Sequence, residues 1–293
     1  MTNRLFAVGA VVAVLSLAPI LAADQARPAS PSNLPRTADG RPDLQGYWAP
    51  IGANSHSLEE GCCEPAHLRM LGRGAAPFTT PIVDPPSGRI PYLPSATPKR
   101  TELLYGVETP TKRSEIDPED VCFLQGVPRS NYRGAIQIRQ VSGALMFLYE
   151  WNHAYRVIPL NGGPHVGKNM KLWNGDSRGR WEGDTLVIDA TNFKEGPWFD
   201  SHGTYYSDAL HVVERLRLAD ADTIRYEATI EDPNIFARPW KIAYQFRRNI
   251  DKSYEFLEEA CVEGISYKMR LEIGRAAVSK GERRIHTHEE ENK

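Results

Sequence analysis

The chain has 293 residues, 41% hydrophobic and 25% charged, with a formal net charge of −2. That balance excludes a disordered chain and argues against a basic nucleic-acid platform or a polybasic membrane reader. With 23 Gly and 22 Pro the chain is not fibrous, and about 270 residues can bury roughly three quarters of their unfolded surface.

The N-terminus carries Arg4, an apolar run from Leu5 to Ala22, and small residues at Ala22 and Ala23 before Asp24. This pattern predicts a secretory signal peptide over residues 1–23. The run only just reaches spanning length and Pro19 interrupts it, which makes an uncleaved anchor the weaker alternative. The expected location is therefore periplasmic or secreted, with no membrane association once the leader is removed. In an oxidising compartment Cys62, Cys63, Cys122 and Cys261 read as a disulfide set with three possible connectivities. Cys122–Cys261 is favoured, because the adjacent Cys62 and Cys63 can join each other only through a strained turn. No metal is expected, since neither CxxC nor HxxxH spacing accompanies Cys62 and Cys63.

Residues 24–130 hold 16 of the 22 prolines and residues 131–293 only five. The first stretch is thus expected to be an extended, loop-rich wrap packed on a barrel. Within it, Gly46-Tyr47-Trp48 forms a GxW pattern that agrees with a barrel plugged at one end by a tryptophan. From residue 131 to 270 the pattern alternates, and runs 135–141, 144–151, 154–160, 184–191, 210–218, 223–231, 240–248 and 254–262 read as antiparallel strands. Ser142-Gly143, Glu182-Gly183 and Asp220-Ala221-Asp222 supply turns. The fold class is mainly β. Eight sequential strands hide their edges best in an antiparallel up-and-down, lipocalin-like barrel, with a sandwich as the alternative. Residues 271–293 read as a charged tail in which His286 and His288 are solvated.

Gly175-Asp176-Ser177-Arg178-Gly179 matches GxSxG, but a turn and a strand come after it rather than a helix. It reads as a glycine-rich turn and not a nucleophile elbow. Asp176, Arg180, Glu182, Asp184 and Asp189 read as turn capping and surface charge, not as a calcium loop. Neither GxxxxGK[ST] nor GxGxxG occurs in a suitable place, so no cofactor is expected.

Along 210–218, Leu210, Val212, Glu214, Leu216 and Leu218 share one face, and His211, Arg215 and Arg217 take the other. With Asp220–Asp222 as the loop, Ala219 faces Thr223, and Glu214 faces Ala228 beside Ile224, Tyr226 and Ile230. Burial disfavours the charged carboxyl, which suits a general acid or base. The competing reading is a buried Glu paired with Arg139, Arg156 or Arg248. Arg129, Tyr132 and Arg133 precede the first run, where they suit anion binding at a barrel mouth. Phe147, Tyr149 and Trp151 share a face, as do Trp240, Ile242, Tyr244 and Phe246.

The segments Asp39-Gly40-Arg41-Pro42-Asp43-Leu44-Gln45-Gly46-Tyr47-Trp48, Gly126-Val127-Pro128-Arg129, Arg180-Trp181-Glu182-Gly183-Asp184-Thr185-Leu186-Val187-Ile188-Asp189 and Ala209-Leu210-His211-Val212-Val213-Glu214-Arg215 resemble a large family of exported bacterial proteins of unknown function. That resemblance implies a common fold and no reaction. A weaker one is to lyases that convert lignin-derived phenylcoumaran dimers into stilbenes by loss of carbon dioxide or formaldehyde; no catalytic residue is carried over from them. Phenolic acid decarboxylases are similar at the level of fold, with tyrosines, an arginine and a glutamate around a phenolic substrate.

The function expected from these residues is that of a cofactor-independent lyase on a phenolic or aromatic molecule held in the barrel. Glu214 would transfer the proton, Tyr132 with Arg133 or Arg156 would bind an anionic end, and Tyr149, Trp151, Tyr244, Trp240 and His211 would contact the substrate. The alternative is a periplasmic binding or carrier protein for an apolar ligand, and a third reading is an ester hydrolase using Ser177. Expected partners are an aromatic small molecule and a second copy in a homodimer, with no nucleic acid.

Overall fold

A computed structural model describes residues 34–53, 56–59, 80–107, 109–257, 259–261 and 267–281. The expected leader, Cys62, Cys63, His286 and His288 lie outside the described residues.

The strands are β1 (Gly46–Ile51), β2 (Ile82–Asp84), β3 (Ile136–Val141), β4 (Ala144–Tyr149), β5 (Tyr155–Pro159), β6 (Asp176–Glu182), β7 (Thr185–Thr191), β8 (His211–Asp220), β9 (Thr223–Glu231) and β10 (Trp240–Arg248). Their order is β5-β4-β3-β1-β10-β9-β8-β7-β6, with β2 pairing β10 off this path. Every ladder on the path is antiparallel. The result is the expected antiparallel barrel, nearly closed, with nine strands instead of eight because β1 is inserted between β3 and β10.

The odd strand number shapes the closure. Eight antiparallel steps lead from β5 to β6, so these two strands run in the same direction. A parallel pair cannot be joined by a hairpin and needs a connection of about a dozen residues or more, which residues 160–175 provide. The barrel therefore closes at a seam without ladder hydrogen bonds. Side chains hold it instead: Arg156 Nε on β5 donates to Ser177 Oγ on β6 at 2.8 Å. A Cβ placed on Gly179 of β6 would lie 2.7 Å from Leu160 Cδ2 and 2.9 Å from Ile158 Cγ2. The missing side chain is what lets the two strands approach.

Alternation explains the inside. Val212, Glu214, Leu216 and Leu218 of β8, Ile224, Tyr226, Ala228 and Ile230 of β9, and Trp240, Ile242, Tyr244 and Phe246 of β10 are all buried. Trp48 of the GxW pattern is fully buried on β1, donates to the Leu44 carbonyl at 2.9 Å and lies under the Arg248 guanidinium at 4.2 Å. Val127 and cis-Pro128 lead into the helical turn Ser130–Arg133, which drives Asn131 and Tyr132 into the interior. Phe193, Phe199 and Tyr206 also pack inward, on the β7–β8 connection.

Four expectations need correction. The first barrel strand, β1, comes from the proline-rich stretch, so the barrel is not confined to 131–270. The GxSxG segment is strand β6 rather than a turn, because its residues pair with β7 from Asp176 to Glu182. Among its described residues the run 254–262 forms only an isolated bridge at Glu259 to Trp151, and β1 occupies the free edge of β10. Finally, Asp220 rather than Ala219 faces Thr223, with a bulge after Leu218, yet Glu214 still faces Ala228. The bulge absorbs the extra residue before the turn.

Cys122 and Cys261 form a disulfide across 139 residues, as favoured from the sequence. The stretch expected to be a charged tail begins inside a helix, Tyr267–Ser279. Among the described residues no helix is long and apolar enough to cross a membrane.

Candidate functional site

Glu214 points into the barrel from the middle of β8 and has no solvent exposure. Of the three candidate arginines, Arg156 on β5 is its partner, in a close ion pair between Nη2 and Oε2. Arg139 is exposed on β3, and Arg248 covers Trp48. The second carboxylate oxygen accepts from Asn131 Nδ2 at 2.7 Å and from Tyr226 Oη at 2.9 Å. Asn131 is in turn oriented by Tyr149, whose hydroxyl donates to Oδ1 at 2.9 Å. Four strands and the inserted turn thus converge on one carboxylate.

The electrostatics follow from enclosure. Burial works to lower the Arg156 guanidinium, and the facing Glu214 carboxylate with Tyr149 overrides it, so the group is held above its ordinary value. Burial pushes the phenols of Tyr149, Tyr226 and Tyr244 well above their usual range, with the Glu214 charge adding to the effect in each. At neutral pH these phenols are protonated. The two Glu214 oxygens together take three donors, Arg156 at Oε2 and Asn131 and Tyr226 at Oε1. Two polar atoms of the cluster are left over: Tyr244 Oη and Arg156 Nη1 are buried and make no hydrogen bond. Each such group calls for an explanation, an ordered water or a bound acceptor among them.

The structure brings together Glu214, Arg156, Tyr149 and Tyr244 from the expected set. Tyr132 packs edge-on against Tyr244 with ring centroids 6.0 Å apart, but its hydroxyl donates to the Phe199 carbonyl at 2.6 Å. Trp240 is buried on the same wall as Tyr244 and packs against Phe199 and Phe236. Three residues are placed elsewhere. Arg133 pairs with Glu119 and lies 4.1 Å over the ring of Trp151, which has already left β4, so neither joins the cluster. His211 faces the outer wall, as its odd position on β8 requires. Its Nε2 is 3.2 Å from Asp189, whose other oxygen is 2.9 Å from Nε2 of His165; Nδ1 of that histidine is 2.8 Å from Asp176. These linked contacts latch the 160–175 crossover to β6 and β7. Arg129 is also engaged, by Asp117 at 2.7 Å and Glu119 at 2.6 Å.

Sequence reasoning missed Asn131, Tyr226 and Ser177 as members of the cluster. Tyr226 was within reach, since it lies diagonal to Glu214 once Glu214 faces Ala228. Ser177 is buried on β6 as a partner of Arg156, not at an elbow. Asn131 had no signal, because only the folding-in of its loop sets it beside β8.

The chain matches no protein-family profile, no curated protein and no solved structure, so the geometry alone carries the functional reading.

Proposed function

We propose that the barrel is a binding or carrier protein for a small aromatic molecule bearing a phenolic or carboxylic oxygen, received between Tyr244 and Arg156. The observation that carries this reading is the pair of buried polar groups, Tyr244 Oη and Arg156 Nη1, left without acceptors beside a carboxylate that is fully occupied. Phe147, Tyr226 and Phe246 supply the apolar surround. Entry is through the β5–β6 seam, the one junction of the barrel closed by side chains alone. Binding is favoured over catalysis because both Glu214 oxygens are already taken by donors.

A cofactor-independent lyase of decarboxylase or deformylase type is the second reading. What favours it is the residue set itself: neutral phenols, an arginine and a glutamate enclosed in one barrel. In that case ligand entry displaces Asn131 or Tyr226 and frees Glu214 to act.

Titrating the mature protein with a panel of lignin-type phenols and phenolic acids, followed by tryptophan fluorescence and mass spectrometry, tests both. Saturable binding that falls at least tenfold in Tyr244→Phe, with unchanged product profile, is the expected result. Product formation lost in Glu214→Gln would make the protein a lyase. Absence of binding across the panel would reduce the cluster to a core network.

A further inference from the structure

The outer wall carries a second feature. Strands β7 to β10 border a groove of about 450 Å³ whose lining includes Thr185, Arg215, Arg217, Arg225, Glu227 and Gln245. Four of these form one row across neighbouring strands: Thr185 faces Arg217, Arg217 faces Arg225, and Arg225 faces Gln245. Two cations therefore stand directly opposite each other, flanked on both sides by neutral hydrogen-bonding side chains. Like charges in that position repel and destabilise a sheet.

Acidic neighbours would normally offset this, but those nearby are engaged. Glu182 pairs with Arg215 at 2.9 Å, Glu227 with Lys241 at 3.0 Å, and Asp184 with Arg36 at 2.9 Å. Among the described residues no carboxylate comes within salt-bridge distance of Arg217 or Arg225, and both are exposed. Ala243 contributes only a methyl group, so nothing bulky fills the concavity in front of them. The local charge is positive on a chain whose formal net charge is −2.

The geometry points to an oxyanion-binding site in which Arg217 and Arg225 converge on one phosphate or sulfate group, with Thr185 and Gln245 as flanking hydrogen-bond partners. A single guanidinium fork already satisfies a planar carboxylate, whereas a tetrahedral dianion offers acceptors to two forks at once. An arginine pair in which neither member makes an ion pair is matched to the latter; Asp184 feels the Arg217 charge but is held by Arg36. The groove is open to solvent, so the oxyanion can arrive free or as an ester on a larger molecule. This site lies outside the barrel and does not depend on the lumenal reading.

Isothermal titration of the mature protein at low ionic strength, with inorganic phosphate, inorganic sulfate, a sulfated disaccharide and acetate, tests the assignment. We expect one saturable site for phosphate or sulfate, weakened at least tenfold in Arg217→Gln/Arg225→Gln and unchanged in Arg180→Gln, which lies on the same wall. Tighter binding of the disaccharide than of the free ions identifies an ester as the ligand; equal binding identifies the free ion. In the absence of anion, Arg217→Ala should leave Tm unchanged or raise it, because a repulsion is removed. No saturable binding of phosphate or sulfate, binding that survives the double variant, or acetate binding as tightly as phosphate would each overturn the proposal. So would a drop in Tm for Arg217→Ala, which would make the pair a structural element.

Discussion

Glu214 and Arg156 show how a buried charge is tolerated. Each is taken out of water, and the loss of hydration is offset only because the two face each other and the carboxylate's other oxygen goes to Asn131 and Tyr226. Truncating one partner leaves the other uncompensated. Arg156→Ala is therefore expected to destabilise the protein by about 3–5 kcal/mol, read as a lower midpoint in urea, and Glu214→Gln, which keeps an acceptor for Asn131 and Tyr226 but leaves the buried Arg156 charge unpaired, should lower it as well. A loss under about 1 kcal/mol in Arg156→Ala, on the scale of an exposed pair, would contradict the burial. The buried phenols give a pH signature as well. Burial raises Tyr92, Tyr132, Tyr149, Tyr206, Tyr226 and Tyr244 above the ordinary value of 10.0. The native state keeps protons that the unfolded chain releases, so this stabilisation is complete below about pH 10 and is lost as pH rises beyond it. Absorbance of tyrosinate should show the exposed phenols ionising first and these six only with unfolding; a single smooth titration with retained structure would refute it.

At the scale of the elements, the parallel seam between β5 and β6 is the weakest junction. Its backbone groups lack ladder partners, and its closeness depends on Gly179 making room for Ile158 and Leu160. A valine there overfills a packed contact, for which about 1–3 kcal/mol is the usual cost, measured as a drop in Tm. Amide exchange should run faster along the seam edges of β5 and β6 than along β9, which is paired on both sides. Equal protection across the barrel would mean that the seam is a closed ladder. The strands themselves were legible from alternation, above all β8, β9 and β10, where the interior residues recur at every second position. The seam was not, because strand count decides it, and β1 and β6 were hidden in stretches dominated by Pro and Gly.

For the whole molecule, the Cys122–Cys261 bond ties the chain ahead of the inserted turn to the chain beyond β10. Closing so long a loop restricts the unfolded state strongly, and replacing both cysteines by serine is expected to lower stability by about 2–5 kcal/mol. An unchanged unfolding midpoint under reducing conditions would count against that. Acid acts on the outer wall. Hydrogen bonds from Arg238, from Arg215 and Arg180, and from Arg36 hold Asp84, Glu182 and Asp184 below the ordinary carboxylate range. Their contribution is present above the unfolded values and is lost as pH falls through the depressed ones, so stability should decline below about pH 4. These groups are exposed, and added salt should blunt the decline.

Local chemistry in the sequence was sufficient for the class of fold, for the Cys122–Cys261 disulfide and for the inward direction of Glu214. Each depends on neighbours within one or two strands or on covalent possibility. The tertiary structure alone decided which arginine meets that carboxylate, that a loop asparagine completes its hydrogen bonds, and that His211 and Arg217 belong to separate groupings on the outer wall. Arg156 and Asn131 reach Glu214 across 58 and 83 positions of chain, where only the closure of the barrel fixes distance.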